Sequence, residues 1–200
     1  RPLRGPLELR EMSARLSILM VKNSPSFELT KIRHYLDKPY RSYYERAKGS
    51  PPVLPRLRDI TGESVQLYRR DGTHRICIAT AEPVSGLRDT VPVGTRLPMT
   101  AGSGAKVLAA WADPATQRAV LHDATFTERV LVDVRRRGWA QSVAEREAGV
   151  ASVSAPVRDG TGKVVAAVSV SGPVDRIGRR PGVRWAADLL AAAEALQHRL

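Results

Sequence analysis

The chain has 200 residues, 42% hydrophobic and 26% charged, with a net charge of +12 and a pI near 10.6. That length allows one ordinary domain and a small appendage, and a mean hydropathy of −0.26 fits a soluble protein. No stretch approaches the roughly 18 apolar residues of a membrane span, so no membrane role is expected. The single cysteine, Cys77, excludes an internal disulfide and a cysteine-based zinc site. With a start that lacks an apolar leader, it predicts a cytoplasmic protein. The positive balance points to a polyanionic partner, most simply nucleic acid. It is unevenly spread. Residues 1–50 hold eleven Lys/Arg against five Asp/Glu, whereas residues 51–200 hold twenty-one against fifteen. A DNA-binding head on a larger, nearly neutral domain shows that asymmetry.

The spacing of Leu9, Met12, Leu16 and Leu19 predicts a helix over 7–21. Asn23-Ser24-Pro25-Ser26 breaks it, and Ser26 suits the N-cap of a second helix, 27–36. After Asp37-Lys38, Pro39 fits the first turn of a third, 40–48. Helix, short turn and basic helix make a helix-turn-helix pattern. In it Tyr40, Arg41, Ser42 and Arg46 are the candidates for reaching phosphates and base edges in a major groove. Four of the five tyrosines crowd the same segment, and a helical hairpin that dimerises or braces the main domain fits them equally well.

Lys48-Gly49-Ser50-Pro51-Pro52 marks a boundary between residues 1–50 and 51–200. A helix over 53–60 follows, ended by Thr61-Gly62. Residues 64–70 and 74–80 alternate as two strands about Asp71-Gly72. A third strand is expected over 87–93. The small-residue loop from Leu97 to Ala105 opens a helix over 106–111, and free N–H groups at such an end attract an anion such as a carboxylate. Helices are expected from Asp113-Pro114 to Leu121 and from the cap Thr127 to Arg137, with Gly138 as the stop. Glu145-Arg146-Glu147 reads as a solvated or ion-paired loop.

The most informative stretch runs from Ala148 to Pro173. It reads as two strands joined by Asp159-Gly160-Thr161-Gly162. Val150, Ser152 and Ser154 share one face of the first strand, and Ala151, Val153 and Ala155 the other. The serines could face a small polar ligand, or their small size could let helices pack on the sheet. A loop with Arg176, Arg179 and Arg180 precedes a final amphipathic helix, 183–200, with Leu189, Leu190, Ala193 and Leu196 inward. The whole of residues 51–200 is therefore α+β, with helices around one antiparallel sheet.

No catalytic constellation is visible. The four histidines are scattered, so no metal site is expected. Gly102-Ser103-Gly104 is not the Gly-x-Ser-x-Gly elbow, and no base accompanies a nucleophile. Cys77 reads as a buried small hydrophobe. Nothing calls for a cofactor, and the residues offer a pocket rather than an enzyme.

From Leu54 onward the chain resembles the effector-binding domain of IclR-type bacterial transcription regulators. The resemblance is carried by Leu57–Ser64, Val93–Pro98, Arg136-Arg137-Gly138-Trp139-Ala140, Glu145–Val150 and the hairpin through Ser171-Gly172-Pro173. More narrowly, Arg58–Ser64 and Leu87–Gly94 are similar to the AreB/NdgR branch, which controls leucine and other amino-acid biosynthesis genes. The resemblance implies a GAF-like sheet with flanking helices, an N-terminal winged helix-turn-helix on operator DNA, and dimers that pair into tetramers. It also implies a small carboxylate or amino-acid effector. Position by position, the family's effector pocket falls on Ser103, Gly104, Ser142, Val150, Ser152, Ser169 and Ser171. The family's wing and linker helix have no counterpart at Lys48–Pro52, and Asp37 stands where the family often has a turn glycine. A small-molecule-binding and dimerisation module without specific DNA binding is the alternative.

Overall fold

The computed structural model describes residues 53–197 and two short strands before them. The chain divides into two units, Arg1–Pro51 and Pro52–Leu200. In the first, β1 (Leu16–Leu19) and β2 (Phe27–Thr30) pair antiparallel, Leu16 opposite Thr30 and Leu19 opposite Phe27. This corrects the helices expected over 7–21 and 27–36. A segment of four residues fits a helical period and an extended one equally, and Asn23-Ser24-Pro25 between the two segments has the residue types of a hairpin connection. Tyr40, Arg41, Ser42 and Arg46 lie outside the described residues.

The second unit is built on a six-stranded antiparallel sheet. A helix α1 (Val53–Thr61) leads into the hairpin β3 (Ser64–Asp71) and β4 (His74–Ala81). Then come β5 (Arg96–Pro98) and three helices, α2 (Ser103–Ala110), α3 (Pro114–Asp123) and α4 (Glu128–Arg137). The chain returns through β6 (Ala140–Val143), β7 (Val150–Arg158) and β8 (Val164–Pro173), and ends in α5 (Val174–Ile177) and α6 (Pro181–Gln197). The spatial order is β5-β4-β3-β8-β7-β6, so the hairpin of Val150–Pro173 brings two sequence-distant halves together.

Because side chains alternate along a strand, each face of the sheet is a separate layer. Val65, Leu67, Val153, Ala155, Val168 and Val170 form one core with Leu57 of α1 and Trp185, Leu189 and Leu196 of α6. On the opposite face, Tyr68, Cys77 and Ala167 pack with Val107 and Leu108 of α2 and Leu131 and Val134 of α4. That second face also carries a polar patch, and the site lies there.

Several element boundaries differ from the sequence expectation. Residues 87–93 form no strand: Leu87 is 75% exposed, and the edge position beside β4 is taken by β5, with Arg75 opposite Leu97. The backbone just beyond pairs with that of Cys77 at Gly94 and Thr95, and Val91 O accepts from the Cys77 thiol at 3.5 Å. Helix α2 begins at Ser103, three residues early, and the loop at Arg176 contains the single turn α5. Leu190, expected inward on the last helix, is 39% exposed, whereas Leu189, Ala193 and Leu196 are buried. Asp113 caps α3 as its position suggests, accepting from Thr116 N (2.9 Å) and Thr116 Oγ1 (2.7 Å).

Candidate functional site

The polar patch consists of rows across paired strands. Ser142 on β6 stands opposite Ser152 on β7, which stands opposite Ser171 on β8. One step along, Ser154 on β7 stands opposite Ser169 on β8, which stands opposite Gln66 on β3. The N-terminus of α2 closes over these rows. Two glycines permit it. Gly102 has φ +97°, a left-handed conformation that a side chain rarely adopts. At Gly104 a Cβ would lie 3.3 Å from Ser169 Oγ and 3.4 Å from Tyr68 Cδ2, so only glycine lets the helix approach this closely without crowding.

Between the helix end and the sheet lies a small, half-open cleft. All seven residues placed in a pocket by the sequence line it: Ser103, Gly104, Ser142, Val150, Ser152, Ser169 and Ser171. Gln66, Tyr68, Arg75, Asp89, Arg146 and Glu147 complete the polar lining. The sequence reading missed these six. For two of them a signal existed, since Gln66 and Arg75 are large polar groups at inward positions of otherwise apolar strands. Asp89 and Arg146 come from loops, where no period marks a direction.

The serines form a hydroxyl chain. Ser103 Oγ lies 2.7 Å from both Ser152 Oγ and Ser154 Oγ, and Ser154 Oγ lies 2.5 Å from Ser169 Oγ. Each hydroxyl donates once and can accept twice, so the three bonds of the chain Ser152–Ser103–Ser154–Ser169 use three of its four donors. One donor is left over, and Ser152, Ser103 and Ser169 all line the cleft. Ser171 Oγ donates to Gln66 Oε1 at 3.0 Å, and Gln66 Nε2 donates to Asp89 O at 3.3 Å.

The charges divide into pairs and one remainder. Arg146 Nη2 donates to both Asp89 oxygens, at 2.8 and 2.9 Å, tying the loop after β4 to the loop before β7. Burial by itself would lower the Arg146 pKa, but the charge and hydrogen bonds of Asp89 reverse this and raise it. Lys106 pairs with Glu145 and donates to Gln141 O at 3.0 Å, and Glu145 also accepts from Gly102 N. The Glu145-Arg146-Glu147 loop is thus ion-paired, and it borders the cleft.

Arg75 is the remainder. It is 3% exposed and has no carboxylate partner among the described residues. Its Nη1 donates to Pro98 O (2.6 Å) and Ala101 O (3.2 Å), its guanidinium lies 5.4 Å from the centre of the Tyr68 ring, and its Nε is buried without a partner. Burial lowers its pKa to about 10 and pushes the Tyr68 hydroxyl well above its ordinary range. Cys77, on the same face, is buried, and that burial raises its thiol pKa. No group of three or more metal-ligating side chains lies together among the described residues, and no helix among them is long and apolar enough to cross a membrane.

Comparison with known proteins agrees with this architecture. The family model described as bacterial transcriptional regulator IclR C-terminal matches residues 45–198. The chain is 34% identical over 146 residues to the HTH-type transcriptional regulator BhcR of Paracoccus denitrificans, covering 66% of this chain and 51% of that protein. It is 31% identical over 139 residues to the HTH-type transcriptional repressor AllR of Escherichia coli K12, covering 63% and 51%. It thus spans about half the length of the curated relatives it matches. An IclR-family regulator from Rhodococcus sp. superposes with a TM-score of 0.67 at 28% identity, covering 95% of this chain and 77% of that one. With a six-stranded antiparallel sheet, helices on both faces and a match over most of its length, the chain belongs to the IclR family of bacterial transcriptional regulators, residues 45–198 being its C-terminal domain.

Proposed function

We propose that the protein is a ligand-responsive transcriptional regulator. Residues 51–200 bind a small carboxylate or amino acid, and residues 1–50 contribute to operator binding as part of a homodimer or tetramer. One observation carries the reading: the seven residues that the family resemblance points to, spread over α2, β6, β7 and β8, line one cleft under the N-terminus of α2. A helix N-terminus offers free N–H donors and a positive dipole end to an anion, and the serine chain adds hydroxyls for a polar tail. The AreB/NdgR likeness of Arg58–Ser64 and Leu87–Gly94 favours amino-acid biosynthesis genes, leucine among them, as targets. The charge balance of residues 1–50 supports contact with DNA phosphates.

The test is an electrophoretic shift of the full chain on the DNA upstream of its own gene, against random DNA of equal length. The expected result is a specific shift whose affinity falls with salt and changes on adding leucine or the matching 2-oxo or 2-hydroxy acid. Equal affinity for random DNA sinks the regulator reading. It leaves the alternative, a binding and dimerisation module without specific DNA binding.

A further inference from the structure

The hydroxyls and the helix end of the cleft would suit many polar ligands, charged or not. Arg75 narrows the choice. A buried guanidinium with no counter-ion is costly to keep, yet this one is held in place: Nη1 is fixed by two carbonyls, Pro98 O and Ala101 O, and the plane lies over Tyr68. What those contacts leave over is Nε, buried and unbonded, and Nη2, which lies 3.3 Å from where a Cβ on Gly102 would stand. The free edge of the guanidinium therefore sits beside the start of α2. The acids of the cleft are already engaged. Asp89 receives Arg146 on both oxygens, and Glu147 lies 3.4 Å from Arg146 Nη1.

We infer that Arg75 is the charge-selective anchor of the cleft, gripping one carboxylate of a small acid between its Nε/Nη2 edge and the N-terminus of α2. The inference rests on the ligand-binding reading of the cleft and chooses within it. A guanidinium edge presents two parallel donors, the geometry a carboxylate fills bidentately. An ammonium group entering the same cleft meets two arginines, and the two carboxylates there, Asp89 and Glu147, are both paired with Arg146. The ligand class is thus a small acid whose tail bears hydroxyl or oxo groups for the serines, in preference to the corresponding α-amino acid.

Lactate, lactamide, alanine and acetate separate these features on the full chain, at constant ionic strength in chloride, by calorimetric titration and thermal shift. Lactate and acetate should stabilise the wild type, with lactamide at least 10-fold weaker than lactate and alanine weaker than lactate. Arg75→Gln should weaken lactate by about 10- to 100-fold, the range for hydrogen bonds to a charged group, whereas Ser171→Ala should cost only a few fold. Where Arg75→Gln does not fold, Arg75→Lys serves to assign the Arg75 Nε–H resonance of the wild type, which must shift downfield on adding lactate. Unchanged lactate affinity in Arg75→Gln, equal binding of lactamide or alanine, an unmoved Nε–H resonance, or no response of the wild type to either acid overturns the inference. Equal acid affinity in wild type and variant leaves the cleft a ligand site. Arg75-dependent acid binding that never alters DNA binding supports the anchor and removes the regulator reading.

Discussion

Ser154→Ala tests whether the serine chain holds the two central strands and α2 as one unit. Ser154 is fully buried and bonds Ser103 and Ser169 through one hydroxyl. Its removal deletes two hydrogen bonds, each worth about 1 kcal/mol net. Ser103 keeps Ser152, whereas Ser169, itself buried, is left without its hydroxyl partner. The expected loss is about 2 kcal/mol, between the bare bond and the full penalty of an orphaned group. For a unit of this size that lowers Tm by roughly 4–8 °C. Ser169→Ala removes only the second bond and leaves Ser154 its bond to Ser103, so it should cost about 1 kcal/mol. The double variant no longer contains the orphan, and should sit near 2 kcal/mol rather than 3, a coupling of about 1 kcal/mol. Urea unfolding followed by circular dichroism measures all three. A loss below about 0.5 kcal/mol for Ser154→Ala, or single losses that add in full, would refute the chain as a coupled network.

Two further expectations concern the scaffold. Gly182→Ala places a Cβ on the Trp139 ring, whose centre lies 4.6 Å from the Arg137 guanidinium. It should cost about 2–3 kcal/mol in a urea melt, although alanine is the better helix former, and an unchanged midpoint would show that the ring swings aside freely. Asp113→Ala removes the cap of α3. The Asp113 pKa is lowered by hydrogen bonds from Thr116. A depressed folded pKa means stability that is fully present above the unfolded value of about 4 and disappears as pH falls through the lower folded value. The Tm gap between wild type and variant should therefore be constant from pH 7 to about 5 and close below pH 4. A gap that persists at pH 2.5 contradicts a charge-assisted cap.

The six polar lining residues that the sequence did not yield share one physical cause. Gln66, Tyr68, Arg75, Asp89, Arg146 and Glu147 lie on four separate segments, β3, β4 and two loops, and meet because β3 pairs with both β4 and β8. Alternation shows that Arg75 and Cys77 share a face, but not which helix covers that face or whether an acid waits opposite. Asp89 illustrates the converse. A strand is expected over its neighbourhood, 87–93, and the structure makes it a loop because the short strand β5 already occupies that sheet edge. Edge occupancy is settled by competition between segments, and no single segment encodes it.

By itself the sequence determined the features whose cause is local. The alternation of Val150–Ala155 and the β-branched, apolar run of Val164–Val170 set the hairpin, Asp159–Gly162 its turn, and Asp113-Pro114 and Gly138 the limits of two helices. Small residues at Gly102–Gly104 and the strand serines marked where backbone and hydroxyls face a cleft. The tertiary structure decided what closes that cleft and what charge it holds. The Asp89–Arg146 pair and the unpartnered Arg75 depend on distances between loops far apart in the chain, which only the packed sheet fixes. It also decided that residues 16–19 and 27–30 pair as strands, because a segment of four residues carries too little period to choose before a partner is in place.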